Sequence, residues 1–169
     1  LRADPLTELI CGAWPGLFPR LRVAASCGKG IAVASAANMD AVSSLLLTVG
    51  AQHPLAEGSF LSVLPAMRGE LFALPVTVTN GVPAATAPHH TILDEDVIAS
   101  AAAGIGARVI GPGQQIDVSP HARGVVPLYG AILAAGAIDL DSWEPDYGRL
   151  TAAPGTWGAS HGRHQTAGG

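Results

Sequence analysis

Alternating apolar and polar residues predict one clear strand in the middle of the chain. The segment VTVT, residues 76–79, alternates β-branched side chains and ends at Asn80 and Gly81, a pattern typical of a half-buried strand before a tight turn. Pro75 favours an edge position for this strand, or a start at Val76. Shorter apolar runs predict strands at residues 21–27, 107–111 and 116–118, whereas the run at 31–37 suits either a strand or the start of a helix.

Helical spacing of apolar residues is clearest between Asp40 and Thr48. Asn38 and Asp40 are residue types that cap helices, and one face of the predicted helix carries Val42, Leu45, Leu46 and Val49. Further helices are predicted at residues 6–11, 57–64 and 124–137, the last of them apolar nearly all round. Such a helix is normally buried on every side.

The segment HHTILDED, residues 89–96, concentrates histidines and acids in a chain that has few charges. It has two interpretations. As a helix start, Thr91 would be the N-cap and the acids that follow would face the positive end of the helix dipole. As a catalytic or metal site, His89 or His90 would act with Asp94, and His53 or His121 would supply further ligands. Adjacent histidines in an extended segment point in opposite directions, which favours the helix start.

These elements predict an α/β or α+β fold: a single compact domain with about four helices and a small mixed sheet, plus an extended C-terminal arm. The 169 residues suffice for one such core. The predicted division is an irregular N-terminal segment at residues 1–20, the core domain at 21–138 and a Pro/Gly-rich arm at 139–169. Trp143 and Trp157 lie in the arm, so we expect it to dock on a protein surface.

The composition is unusually poor in charge. Hydrophobic residues make up 49% and charged residues 13%, and the formal net charge is −4. The nine basic residues are scattered, which argues against nucleic-acid binding. No apolar stretch reaches the roughly 20 residues that span a bilayer, and the start of the chain lacks a secretory pattern. Cys11 and Cys27 are expected to be buried, unpaired thiols. Leu1 is compatible with processing, a fragment or an incomplete start.

Known catalytic and cofactor motifs are absent or incomplete. The residues around Lys29 read SCGKGIA, and GIGARV occupies positions 104–109. The first lacks the spacing and the Ser or Thr of a phosphate-binding loop, and the second lacks the third glycine of a dinucleotide fingerprint. No serine has the Gly-x-Ser-x-Gly setting. The sequence therefore predicts neither a cofactor nor a bound metal, and no catalytic residue beyond the candidates His89, His90 and Asp94.

The uncharged surface favours a subunit of a larger assembly, most concretely a viral or phage coat protein located in the virion. Its expected partners are other copies of itself or a larger shell protein. One alternative is a small α/β hydrolase or lyase with a His/Asp site near residues 89–94. Another is a non-catalytic binding domain cut from a longer polypeptide. A cytoplasmic location is expected if the coat hypothesis fails.

Overall fold

A mixed β-sheet forms the larger part of the molecule in the computed structural model, which describes residues 4–15, 18–66 and 68–145. The strands are β1 (Glu8–Trp14), β2 (Asn38–Ser43), β3 (Gly58–Pro65), β4 (Glu70–Thr79), β5 (Val82–Ala85), β6 (Thr91–Asp94), β7 (Arg108–Gly111) and β8 (Ile116–Asp117). The helices are α1 (Phe18–Ser35), α2 (Ser44–Gly50), α3 (Ile98–Gly104) and α4 (Tyr129–Ala135), with 3-10 helices at Glu95–Val97 and Ala122–Leu128. The fold is α+β in one compact domain, as the sequence predicts.

The larger sheet has the strand order β5-β4-β3-β7-β8, and β6 also pairs with β4. β3 and β4 run antiparallel, from the pair Gly58 and Val78 to the pair Pro65 and Leu71, whereas β7 runs parallel to β3. Both faces of the central strands are buried. One face packs against α2 and the other against α3, which explains why β3 and much of β4 are apolar runs rather than alternating ones.

The smaller sheet consists of β1 and β2, which pair in parallel with α1 between them in the chain. Leu9, Cys11 and Met39 lie on the face that contacts α1 at Ala32. The opposite face, with Ile10 and Val42 among its residues, packs toward α4 and the 3-10 helix Ala122–Leu128. Each face of this small sheet is therefore covered by helical structure.

α2 joins the two sheets and is held by polar contacts as well as by its core residues. Its N-cap residue Ser43 accepts a hydrogen bond from the backbone of Leu45. Ser62 Oγ, in β3, donates to the Leu45 carbonyl at 2.8 Å. Arg123 Nε donates to the Ala51 carbonyl at 2.9 Å, which fixes the start of the 3-10 helix Ala122–Leu128 to the end of α2.

Several elements differ from the sequence-based predictions. The predicted helix at residues 6–11 is the strand β1, although it lies within the segment expected to be irregular. The predicted strand at 21–27 is part of α1, and the predicted helix at 57–64 is β3. The helix expected to begin near Asp40 begins only at Ser44, after β2. The helix at 124–137 divides into a 3-10 segment and α4.

Gly28 explains why α1 was misread. Because Gly28 and Gly30 flank Lys29, the segment looks like a break between elements, yet α1 runs through it. A β-carbon on Gly28 would lie 2.9 Å from Met39 Cε. The glycine lets the helix pack closely against the Met39 side chain of β2 and does not break the helix.

Trp143 marks the beginning of the predicted C-terminal arm. Its side chain is half-buried and packs with the cluster formed by Cys11, Ala32 and Met39, and Lys29 Nζ lies 5.8 Å from its ring centroid. The arm thus docks on its own domain at this position. Trp157 and the rest of residues 146–169 lie outside the described part of the chain.

Both cysteines are free, as the sequence predicts, but only Cys11 is buried, since Cys27 is exposed on α1. In the described ranges, no helix is both long enough and apolar enough to span a bilayer.

Candidate functional site

The candidate residues of the segment HHTILDED do not mark the start of a helix. Thr91 and Asp94 belong to β6, which pairs with β4, and Thr91 Oγ1 donates to the Ala73 carbonyl at 3.4 Å instead of capping a helix. Helical structure begins three residues later than predicted, at the 3-10 helix Glu95–Val97, which does carry two acids in its first turn. The helix dipole can still favour these acids.

The two histidines of this segment have different surroundings. His89 is exposed, whereas the ring of His90 packs edge-on against Phe72 with 5.3 Å between centroids. Asp94 is exposed at the end of β6. Among the described residues, no group of three or more His, Cys, Asp and Glu side chains could hold a metal ion, so His53 and His121 do not complete a metal site here.

The buried Cys11 thiol and the buried hydroxyls of Ser62 and Thr48 are not activated nucleophiles. Burial raises the pKa of the Cys11 thiol, which keeps it protonated and weakly nucleophilic. Ser62 and Thr48 donate their hydroxyl protons to backbone carbonyls. These contacts are structural, since they satisfy donors inside the core.

A pair of carboxyl groups on the small sheet is the most unusual polar feature of the structure. Glu8 lies two residues before Ile10, and Ile10 is the register partner of Asp40 on the neighbouring parallel strand. Because side chains alternate along strands, Glu8 and Asp40 share one face of the sheet. α4 supplies a third group: Tyr129 Oη donates to Glu8 Oε2 at 3.0 Å. Three elements thus bring these side chains together.

Asp40 is buried without a full set of partners. Its side chain is only 2% exposed, and no donor reaches its Oδ2 atom. Burial comes first among the causes that raise the pKa of Asp40, followed by a hydrogen bond with Glu8 and by the repulsion between the two charges. Two carboxyl groups form such a hydrogen bond only when one of them carries a proton. The local surroundings therefore disfavour two bare negative charges.

A cavity of about 220 Å³ opens along the same face of the small sheet. His121 is its one imidazole, and its Nδ1 atom accepts a hydrogen bond from the backbone of Arg123 at 3.1 Å. The remaining wall is mainly aliphatic. The lining residues are Ile10, Gly12, Val42, Leu47, Pro120, His121, Ala122 and Val125. The cavity and the carboxyl pair therefore lie on the same face of the small sheet.

The outer face of α1 is a second candidate, suited to protein binding. The buried residues of α1 are Leu21, Ala25, Gly28 and Ala32, which form one narrow stripe. The opposite side is exposed and uncharged, and we call it the α1 stripe: Val23, Cys27, Gly30, Ile31 and Ala34. Val23 is 64% exposed and Ile31 is 47% exposed. An uncharged apolar stripe along a helix of 18 residues is typical of a surface that another chain covers.

Solved structures with this fold include two from Pseudomonas aeruginosa. One, described as an uncharacterized protein with similarity to peptidase YEAZ from Pseudomonas aeruginosa, superposes with a TM-score of 0.66 at 19% identity, over 84% of this chain and 73% of that one. The other, YeaZ from Pseudomonas aeruginosa, superposes with a TM-score of 0.64 at 18% identity, over 83% and 72%. No protein-family model and no curated protein matches the sequence.

The coat-protein hypothesis is wrong. The solved structures with the same fold are bacterial YeaZ-type proteins and not viral or phage shell proteins. The expected location in the virion is therefore wrong as well. The coat-protein hypothesis rests on the low charge content of the chain, and a low charge content does not by itself indicate a shell protein. In the structure, much of the apolar content instead fills a sheet buried on both faces, and three of the exposed large apolar residues, Val23, Ile31 and Val33, lie on α1.

Replacing Asp40 by asparagine is expected to stabilise the protein at neutral pH. The pKa of Asp40 is raised in the folded state. Protonated Asp40 therefore stabilises the fold fully below the unfolded-state pKa of about 3.9, and this stabilisation is lost as pH rises through the folded-state pKa. The Asp40→Asn substitution would remove the buried charge, and the new amide could donate to Glu8. Relief of one unsatisfied acceptor, about 1–3 kcal/mol, should raise the melting temperature by several degrees.

Thermal unfolding followed by circular dichroism tests this expectation, with the exposed acid in Asp96→Asn as the control. The gain for Asp40→Asn should shrink as pH falls toward the unfolded pKa. A variant less stable than the wild type at neutral pH would show that the Asp40 carboxylate is stabilising, contrary to the contacts described above.

Proposed function

We propose that this chain is a YeaZ-like protein that serves an enzymatic process as a dimerising, binding component, and that two copies associate through their α1 stripes. The observation that carries the proposal is the α1 stripe itself, which is exposed on the side of the helix away from its buried residues. Support for a link to enzyme chemistry comes from the YeaZ fold, because one neighbour is described by its similarity to a peptidase.

The chemistry of the α1 stripe suits a second copy of the same chain. In a two-fold symmetric dimer each stripe meets itself, so any charge on it would face a like charge. The five residues of the stripe carry none. Gly30 and Ala34 are small and would allow two helix backbones to approach closely, while Val23 and Ile31 would supply apolar area for burial.

Two charged residues of α1, those whose side chains the structure describes, are compatible with this arrangement. Lys29 lies toward Trp143, at the flank of the helix rather than on the α1 stripe. Arg22 neighbours the stripe and is exposed, which places it at the rim of such an interface. An apolar centre with a polar rim is the usual composition of protein interfaces.

Peptide hydrolysis by this chain alone has little support from its described residues. The buried thiol has a raised pKa, and the described His, Cys, Asp and Glu side chains form no metal-binding group of three or more. Binding to a partner copy therefore fits the observed surface better than independent hydrolysis does.

The proposal predicts a dimer that a single charge can dissociate. Light scattering after size exclusion should give twice the chain mass of 17.0 kDa for the wild type at micromolar concentration. Ile31→Glu should give a monomer, because a buried, unpaired carboxylate at the helix contact costs several kcal/mol. Its circular dichroism spectrum should stay unchanged, since Ile31 is already half-exposed in the single chain.

Ile105→Glu is the matched control. Ile105 is 50% exposed, close to the 47% of Ile31, but it follows α3 and lies outside the α1 stripe. This variant should remain a dimer. A monomeric wild type, or equal effects of the two substitutions, would contradict the proposed role of the α1 stripe.

A further inference from the structure

Three basic side chains that could neutralise the carboxyl pair Glu8 and Asp40 are engaged elsewhere. Lys29 lies over Trp143, Arg108 donates to the Glu57 carbonyl, and Arg123 donates to the Ala51 carbonyl. The hydrogen bond from Tyr129 reaches Glu8 and leaves Asp40 Oδ2 without a donor. Among the described residues, Asp40 Oδ2 therefore receives no hydrogen bond from a donor, charged or neutral.

The position of Asp40 makes this more than a cluster of surface acids. Solvated acids keep their hydration and need no other partner, but Asp40 is 2% exposed and has lost most of its water. A buried carboxylate normally pairs with a cation or coordinates a metal ion. Glu8 is only half-buried, which leaves an approach from solvent to the pair.

The carboxyl pair and the phenol of Tyr129 offer oxygen donor atoms. Oxygen ligands suit hard cations such as Mg²⁺ and Mn²⁺, whereas zinc and copper sites use nitrogen or sulfur. Mg²⁺ keeps several of its own waters and is commonly held by one or two carboxylates. A site with two carboxylates and an open side fits a hydrated ion of this kind, even though it would not fit a fully protein-ligated metal.

We propose that Glu8 and Asp40 form a binding site for a hydrated divalent cation of the Mg²⁺ and Mn²⁺ class. Asp40 supplies the buried ligand and Glu8 the solvent-facing one. Tyr129 positions Glu8 through its hydrogen bond rather than binding the ion. The bound ion would neutralise the face of the small sheet beside the cavity, and an anionic ligand could then approach that face.

Mn²⁺ is the probe for this site, because its electron paramagnetic resonance signal reports the free ion. The wild type should bind one Mn²⁺ per chain, and Mg²⁺ should compete for it. Glu8→Gln and Asp40→Asn should each weaken Mn²⁺ binding at least about tenfold. Tyr129→Phe keeps both carboxylates and should have a smaller effect. Mn²⁺ should also raise the melting temperature of the wild type but not that of Asp40→Asn.

Glu95→Gln is the control for nonspecific attraction of Mn²⁺ to surface acids, since Glu95 is an exposed acid in the run Asp94–Asp96. It should leave Mn²⁺ binding unchanged. The proposal is overturned by an absence of Mn²⁺ binding at millimolar concentration, by unchanged binding in both Asp40→Asn and Glu8→Gln, or by a loss in Glu95→Gln that equals theirs. Circular dichroism of each variant separates a lost site from a lost fold, and Glu8→Gln, at a half-buried position, tests the site independently of the buried Asp40.

Discussion

Replacing Gly124 by alanine is expected to lower the melting temperature by roughly 6–12 °C, which corresponds to about 3 kcal/mol in a chain of this size. A β-carbon at this position would overlap the Leu47 carbonyl oxygen and would lie 3.1 Å from the Ala51 nitrogen. Both atoms belong to the backbone, so no side-chain rotation relieves the clash. Gly50 shows the same contact from the other side, with its β-carbon 2.5 Å from the Gly124 carbonyl oxygen.

The same substitution should disturb the small-sheet face. Gly124 lies in the 3-10 helix Ala122–Leu128, which lines the cavity and leads directly into α4 with Tyr129. If that helix moves away from α2, the hydrogen bond between Tyr129 and Glu8 should weaken.

Gly130→Ala is the matched control for this experiment. Gly130 lies inside α4, and its β-carbon would have no atom within 4 Å. Alanine there should be neutral or stabilising by up to about 1 kcal/mol, because it favours the helix. Thermal unfolding of both variants by circular dichroism distinguishes the cases. Equal melting temperatures would show that α2 and the 3-10 helix do not pack as closely as described.

The larger sheet was predictable where local pattern and burial agree. β4 has alternating β-branched residues at its C-terminal end and a turn at Asn80 and Gly81, where Asn80 has φ 52° and Gly81 has φ 74°. The sequence also indicated β7 and β8 at nearly their observed positions. Pro75 was expected to mark an edge, yet β4 lies inside the sheet between β3 and β5. β5 pairs only with the C-terminal part of β4, from Val76 to Thr79.

The segments around α1 were not predictable from local pattern because tertiary contacts define them. α1 is rich in Ala and Gly and exposes apolar residues opposite its buried stripe, so it shows no strong alternation of apolar and polar faces. β3 is buried on both faces and gives a continuous apolar run, which periodicity cannot separate from a buried helix. β1 is recognisable as a strand only through its parallel partner β2.

The carboxyl pair gave no signal in the sequence because its members are far apart in the chain. Only the parallel register of β1 and β2 brings Glu8 near Asp40, and Asp40 was interpreted as a helix cap. The charge-rich segment at residues 89–96 drew attention instead, although most of its acids are exposed. An isolated acid inside an otherwise apolar run, such as Asp40 between Met39 and Ala41, is the signal that could have pointed to this face.

Replacing Leu45 by alanine should have the largest effect on stability, about 2–5 kcal/mol. Leu45 is 0% exposed and belongs to the cluster that joins α2 to the larger sheet, with Phe60 and Ile110 among its members. The Leu45 carbonyl also accepts the hydrogen bond from Ser62, which holds the backbone in place. Because this restricts collapse of the surroundings, we expect the cost to lie in the upper part of the range.

Leu133→Ala makes the same chemical change at a residue that is 43% exposed on α4, and it should cost less than about 1 kcal/mol, since surface substitutions usually change stability little. Urea unfolding of the two variants gives both free energies under the same conditions. The slope with denaturant should be unchanged, because the folded state keeps its extent of burial. Equal losses at Leu45 and Leu133 would mean that α2 does not pack against the larger sheet, and the connection between the two sheets would then need another explanation.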